Sequence, residues 1–333
     1  MTQNFSRRRL LQATAGGLAA ASLARPARAG AKTKIRFLTS WFAQAEHGGF
    51  YQALATGLYE KAGLDVTIAM GGPQVNGMQL LVGGAADMIM GYDIQVLKGI
   101  QNGLPVTTIG TSFQFDLQGV MTHPDIAGLA GLKGHQILIA SASHSTFWPW
   151  LKQRYGFTDD QAGPDTFNLQ PFLLNPAAAM QAYPSSEPFE AAKAGAKVNF
   201  FLFADDGYPP YGSTMVTTKN FLAGNPAASR AFVQASLEGW KDYLVNPAPA
   251  NALIKQANPQ MADDQIAFAI SRMQAMNVLG KGDAATQGIG TMTAARWRKT
   301  YDFLVAGNIL SPSTDWRAAF TTQCTDGLHI LPA

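Results

Sequence analysis

Two α/β lobes, each a mixed sheet flanked by helices and joined by two crossings of the chain, are the fold this sequence predicts. Three observations carry that prediction. From Ile35 to Thr111 strand and helix periods alternate in the order β-α-β-α-β-α-β, the pattern of a parallel or mixed sheet covered by helices. A second strand–helix series occupies residues 118–213, entered by a strand at 113–121 and left by one at 214–218. Beyond Asn225 the pattern is helical throughout. Two crossings between two lobes leave a cleft between them, where ligands tend to sit.

The first unit sets the frame. An apolar run at 35–38 ends in a stretch without period, 41–49, which reads as a loop. Residues 50–59 are apolar at 50, 51, 54, 55, 58 and 59, a helical stripe. Gly63 closes that helix and 64–70 alternates as a strand. Trp41, Glu46, His47 and the Gly48-Gly49 amides therefore crowd a strand-to-helix rim. In open α/β sheets ligands bind at such rims, and a helix N-terminus offers unpaired amides. A helix at 74–81, a strand at 88–90, a second rim at Gly91-Tyr92-Asp93, a helix at 94–102 and a strand at 106–111 follow.

In the second series a strand at 136–140 ends in the serine-rich rim Ser141-Ala142-Ser143-His144-Ser145-Thr146. A helix is expected at 147–155 with Pro149 in its first turn. A strand at 167–174 and a helix at 176–182 come next. Ser185-Ser186-Glu187-Pro188 reads as a loop, since Pro188 disfavours helical backbone at Glu187. A strand at 197–203 leads to a turn or hinge at 205–212, rich in Asp, Pro, Gly and Tyr. The closing helices are 225–245, with Asn225 as N-cap and Pro226 at N1, then 250–257, 262–275 and 291–305.

Of the 333 residues, 25 are Lys or Arg and 22 Asp or Glu. The first 29 hold five of the arginines and no acid, so removing them leaves 20 basic against 22 acidic residues. No basic patch remains to argue for nucleic acid or membrane binding. Those 29 residues carry three export signals together. Ser6-Arg7-Arg8-Arg9-Leu10-Leu11-Gln12 fits the twin-arginine pattern, a weakly apolar stretch runs over 10–23, and Ala27-Arg28-Ala29 is a small-residue cleavage site before Gly30. The apolar stretch is shorter than the ~20 residues of a spanning helix. Cleavage after Ala29 and a periplasmic location are expected.

Catalytic patterns are absent from the sequence: it has no G-x-S-x-G, no H-E-x-x-H and no P-loop. The five His stand singly at 47, 123, 135, 144 and 329, and Cys324 is the only cysteine, which excludes an intramolecular disulfide or a cysteine-based metal site. No metal and no cofactor are expected.

The segment W-x5-H-x2-F-Y-x-A-x3-G-L-Y-x3-G-L-D-V-x-I from Trp41 to Ile68, then Gly71-Gly72-Pro73, then L-x2-G-x2-D from Leu81 to Asp87, resembles the periplasmic binding proteins of ABC importers for nitrate, sulfonates, taurine and thiamine pyrimidines. Leu132-Lys133-Gly134, Ser186-Glu187-Pro188 and the helix at 225–244 fit the same family. The sequence is most similar to the branch that binds formylaminopyrimidine and hydroxymethylpyrimidine. The resemblance implies a type II two-lobed fold with a two-strand hinge, lobe 1 being 30–117 plus 214–333 and lobe 2 being 118–213. It also implies a small-molecule ligand, a permease and its ATPase as partners, and a monomeric binder that is not an enzyme. Fungal thiamine-pyrimidine synthase belongs to the same family, holding pyridoxal phosphate on a Lys and consuming its own His. This chain has Gly91-Tyr92-Asp93-Ile94-Gln95-Val96 at that place, with neither residue, and a single Cys where that enzyme uses a Cys-rich iron loop. A sensor role beside a membrane receptor is a further possibility that sequence does not separate from transport.

The candidate ligand residues follow from these rims. Trp41 can stack on a planar ring, a contact worth about 0.5–1.5 kcal/mol beyond area burial. His47 can donate or accept, or pack as a structural His, and only one of Glu46 and His47 need face inward. Tyr51 is as suited to the core as to the site. Tyr92 and Asp93 occupy the other first-lobe rim. Ser141, Ser143 and Thr146 offer hydroxyls from the second lobe, or cap a helix. Glu187 is the sharpest candidate. The resemblance implies that it pairs with the amino group of a pyrimidine, and a carboxylate there repels sulfonate or nitrate. As a charged loop residue it can also be simply solvated. Asp205, Asp206, Tyr208 and Tyr211 belong to the hinge.

Overall fold

β1 (Thr33–Leu38) leads through a 3₁₀ turn at Ala45–His47 into α1 (Gly48–Ala55) and α2 (Leu58–Lys61), and β2 (Leu64–Ala69) returns parallel to β1. The computed structural model describes residues 31–333 apart from Phe167 and Ala333, and Lys32–Ala333 packs as one compact unit. The expected leader at 1–29 lies outside the described residues. Where one helix is expected over 50–59 there are two, because Gly57 takes φ 71°, a left-handed value that ends α1 just past its last turn. The stretch 41–49 is not all loop. Gly48 and Gly49 are helical, and their missing side chains let α1 meet the long helix at Pro226–Tyr243 at close range. A Cβ on Gly48 would stand 2.0 Å from the Tyr243 ring, and one on Gly49 2.1 Å from the Trp240 ring.

α3 (Gly77–Val82), β3 (Met88–Gly91), α4 (Asp93–Gln101) and β4 (Val106–Phe113) complete the first half. The chain then leaves the first sheet. The strand expected at 113–121 is broken here, because the Asp116 carboxylate accepts from the Gln118 N–H (3.0 Å) and its side-chain amide (2.8 Å), a local turn that competes with strand pairing.

The second sheet holds β5 (Gly119–Thr122), β6 (Ile137–Ile139), β7 (Ala162–Pro164), β8 (Ala179–Ala182) and β9 (Asn199–Leu202), in the order β7-β6-β8-β5-β9. Between them come α5 (Trp148–Tyr155), α6 (Gln170–Leu174) and α7 (Glu187–Lys193). Two expectations are reversed. Residues 170–174 form a helix rather than a strand, opened by Pro171 in the first turn and by the Asn168 side chain accepting from the Gln170 N–H at 2.9 Å. Ala179–Ala182 forms a strand rather than a helix, paired on both sides by β5 and β6 and fully buried. Pro188 does not hold Glu187 outside the helix: both lie in the first turn of α7, where a missing N–H costs nothing.

β10 (Gly212–Thr218) returns to the first sheet antiparallel between β3 and β4, giving the order β2-β1-β3-β10-β4. The tail is α8 (Lys219–Gly224), α9 (Pro226–Tyr243), α10 (Ala248–Ala257), α11 (Asp263–Ala275), α12 (Ala284–Gln287) and α13 (Ala294–Ala306). Phe37, Phe50, Phe232 and Trp240 pack between the first sheet and α1 and α9, with ring centroids 4.6 to 6.0 Å apart. Each such side chain contributes about 1.5–3 kcal/mol by burial. Phe147, Trp148 and Trp150 are all core.

Arg296 of α13 ties the two crossings together. Its guanidinium donates to the Gln114 carbonyl at 2.8 Å and the Pro209 carbonyl at 3.1 Å, and it lies 4.8 Å from the Tyr211 ring centroid. No helix among the described residues is long and apolar enough to cross a membrane.

Candidate functional site

A cavity lies at the carboxyl ends of β1 and β3 on one side and of β7 and β8 on the other. From the first side come Ser40, Trp41, Gln44, Glu46 and His47, all in the segment after β1, with Met90 and Tyr92 at the end of β3. From the second come Asp165 after β7, then Gln181, Ala182 and Tyr183 at the end of β8, and Glu187 at the start of α7. The free volume between these side chains is about 20 Å³, room for roughly one water.

Three carboxyls meet there. Glu46 is buried and accepts from the Ser185 hydroxyl, a bond that joins the two sides of the cavity. Burial raises its pKa, and the Ser185 hydroxyl opposes the shift. Glu187 accepts from the Tyr183 N–H at 2.8 Å, an arrangement set by the tight approach of β8 to α7. Burial pushes this carboxyl up to about 8, and repulsion from Asp165 and Glu46 adds to the effect. Asp165 is buried as well.

Two further acceptor groups stand beside them. Gln44 Oε1 and His47 Nδ1 are buried and make no hydrogen bond within the protein. Burial lowers the His47 imidazole to about 3, with the Phe42 carbonyl opposing, so the ring is neutral and has one acceptor nitrogen. On the donor side, Gln181 spends its oxygen on the Ala140 N–H (3.0 Å) and the Ser143 hydroxyl, leaving its NH₂ end for the cavity. Trp41, Tyr92 and Tyr183 supply aromatic wall, and the two tyrosine hydroxyls meet at 3.1 Å. No Lys or Arg is among the described residues that line this space.

Some of the candidates named from the sequence line this space and others do not. Trp41, Glu46, His47, Tyr92 and Glu187 line the cavity, and Glu46 and His47 do so together rather than as alternatives. The other candidates sit elsewhere. Tyr51 is 3% exposed and packs in the core beneath α1. Asp93 is fully buried at the start of α4, where its Oδ2 accepts from the Tyr211 N–H at 3.0 Å, so it braces the second crossing. Ser143 and Thr146 are buried in the turn after β6, the first behind Gln181 and the second within 3.4 Å of the Ser143 carbonyl. Ser141 is exposed, and its N–H donates to the Pro73 carbonyl at 3.0 Å. The Gly48 N–H donates to the Ala45 carbonyl, and the Cα atoms of Gly48 and Gly49 abut Tyr243 and Trp240 of α9.

The family described as NMT1/THI5 like matches residues 44–250. The chain belongs to that family. It is 27% identical to the riboflavin-binding protein RibY of Chloroflexus aurantiacus over 242 residues, 70% of this chain and 68% of the relative. It is 22% identical to the formylaminopyrimidine-binding protein of Halalkalibacterium halodurans over 303 residues, 86% of this chain and 89% of that protein. Among solved structures it superposes on the periplasmic aliphatic sulphonate binding protein SsuA of Escherichia coli with a TM-score of 0.63 at 15% identity, covering 87% of this chain and 92% of that one. The periplasmic-binding-protein fold is thereby shown, and this NMT1/THI5-like chain is a ligand binder of that fold.

Gln44, Asp165, Gln181 and Tyr183 were not among the residues expected from sequence. Gln44 lies two residues before Glu46 in the same segment and carries no signal of its own. The other three lie in or just after β7 and β8, strands that the sequence did not reveal.

Proposed function

We propose that this chain is the exported solute-binding subunit of an ABC importer, and that it captures a small planar nitrogen heterocycle of the thiamine-pyrimidine type. The observation that carries the reading is the acceptor-rich cavity. Glu46, Asp165, Glu187, Gln44 Oε1 and the neutral His47 face one aromatic-walled space without a basic side chain. Such a space suits a flat ring edged with amino and N–H donors, charge-assisted where the ring is protonated. RibY and the formylaminopyrimidine-binding protein are named for planar nitrogen heterocycles, which supports the same class.

Residues 30–117 with 214–333, and 118–213, act as two lobes about the crossings at 114–118 and 203–211. A free volume of 20 Å³ admits no ring, so ligand enters an opened form. Closure then brings Glu187 and Tyr183 of one lobe against Trp41 and His47 of the other. The ligand favours the closed state because only that state supplies both sets of contacts. The permease and its ATPase recognise the closed form, and residues 1–29 direct export to the periplasm. The protein works as a monomer, without cofactor and without catalysis.

A sulfonate, taurine or nitrate ligand has the SsuA likeness in its favour at the level of fold alone. Three carboxyls and no cation in the cavity weigh against it.

A thermal-shift screen of the purified protein against aminopyrimidines, riboflavin, taurine, aromatic sulfonates and nitrate tests the reading. A ligand at ~100 times its Kd adds about 2.7 kcal/mol, several degrees of midpoint. A shift with the heterocycles that disappears in Glu187→Gln supports it, and a shift with the anions alone overturns it.

A further inference from the structure

The segment Gly71-Gly72-Pro73-Gln74 lies outside the cavity wall and crosses from one sheet to the other. It follows β2, the edge strand of the first sheet. The Gly71 N–H donates to the Trp41 carbonyl at 3.1 Å, and the Thr39 hydroxyl donates to the same oxygen at 2.7 Å. A Cβ on Gly71 would stand 2.5 Å from the Thr39 carbonyl oxygen, a clash that only glycine avoids. The next two residues reach the second sheet. The Pro73 carbonyl accepts from the Ser141 N–H at 3.0 Å, shortly after β6. The Gln74 side-chain amide donates to the Asp165 carbonyl at 3.4 Å, directly after β7. Trp41 and Asp165 line the cavity from opposite sides, so one four-residue strap is bonded to the backbone of both.

We infer that residues 71–74 are the strap that sets how long bound ligand is held. The inference rests on the capture reading above and deepens it by naming the residues that govern release. Bonds that join the two sheets are made in the closed state and lost in the opened one. They therefore slow release, and they leave unchanged the encounter, which takes place in the opened form. Pro73, Gln74 and Ser141 are positioning residues that act on the ligand through Trp41 and Asp165. For Ser141 the group that matters is the backbone N–H and not the hydroxyl.

Stopped-flow fluorescence with an aminopyrimidine and with riboflavin tests this in Ser141→Pro and Ser141→Ala. Ala140 has ψ 154° and Ser141 is an exposed residue opening a 3₁₀ turn, so proline is accommodated and removes the N–H. Ser141→Pro is expected to release the ligand about 3- to 10-fold faster at an unchanged association rate. Ser141→Ala keeps the N–H and is expected to match the wild type. Gln74→Leu, at an exposed position, is expected to speed release by a smaller factor, and it decides the matter if Ser141→Pro does not fold. Release unchanged in Ser141→Pro overturns the strap and leaves the heterocycle reading intact. Equal acceleration in Ser141→Ala, or a change in the association rate alone, also overturns it. No saturable signal from either compound with the wild type overturns the heterocycle reading and this inference with it.

Discussion

Tyr92 and Tyr183 meet hydroxyl to hydroxyl at 3.1 Å, one from the end of β3 and the other from the end of β8. With the Glu46–Ser185 bond beside it, this contact holds the rims of the two sheets together across the cavity. Burial pushes the Tyr92 phenol up to about 12, so both groups keep their protons at physiological pH. Tyr183→Phe removes the bond and leaves one hydroxyl without its partner, at a cost of about 1 kcal/mol to the closed state. Small-angle scattering of the ligand-free variant is expected to show a more open molecule than the wild type.

Glu187 makes folding stability sensitive to pH. In the folded chain it holds its proton up to about 8, against an ordinary value of 4.5. Its contribution to stability is therefore full below about pH 4.5 and is lost as pH rises towards 8, because the unfolded chain releases the proton first. Asp93 and Asp116, each raised by burial to about 7, act in the same direction. The melting midpoint of Glu187→Gln is expected to fall less between pH 5 and pH 8 than that of the wild type.

A cationic heterocycle should draw a carboxylate, not a carboxylic acid, from Glu187. Binding near pH 7 is then accompanied by proton release. Titrations in buffers of different ionisation enthalpy should give observed heats that differ in proportion, and Glu187→Gln should reduce that dependence.

His47 acts in the opposite sense. Its folded-state value is lowered from 6.5 to about 3, so its contribution is present above pH 6.5 and is lost as pH falls towards 3. His47→Asn cannot be protonated at all. Urea midpoints from pH 6.5 to 4 should decline less steeply for the variant.

Arg296 is expected to set the stiffness of the crossings. Both bonds leave one nitrogen, Nη2, and Arg296→Met removes that nitrogen together with the planar group over the Tyr211 ring. Loss of both bonds should cost about 1.5–3 kcal/mol, read as a lowered thermal midpoint.

The sequence revealed the first side of the cavity far better than the second. Between Trp41 and Tyr92 the strand-to-helix handovers are marked by period and by glycine, and Trp41, Glu46, His47 and Tyr92 reach the cavity from them. On the second side the run Ala177-Ala178-Ala179-Met180-Gln181-Ala182 has strong intrinsic helix preference, yet Ala179–Ala182 is a buried strand. Pairing with β5 and β6 overrides propensity there, and a short strand covered on both faces has no alternation to betray it. Gln181 and Tyr183 went unseen as a result. The helix at Gln170–Leu174 was legible in principle, since Pro171 in a first turn after Asn168 is a start signal. Asp93 lies away from the cavity, against the Tyr211 N–H. A rim position does not say whether a side chain faces the ligand or the crossing behind it.

The acceptor-rich cavity is proposed to select a donor-rich ring. The most direct test is calorimetric titration at pH 7 of an aminopyrimidine and of taurine into the wild type and Glu187→Gln. Saturable binding of the aminopyrimidine, a loss of about 10-fold or more in the variant, and no heat of binding from taurine are expected. Tight binding of taurine with no response to the aminopyrimidine would contradict it.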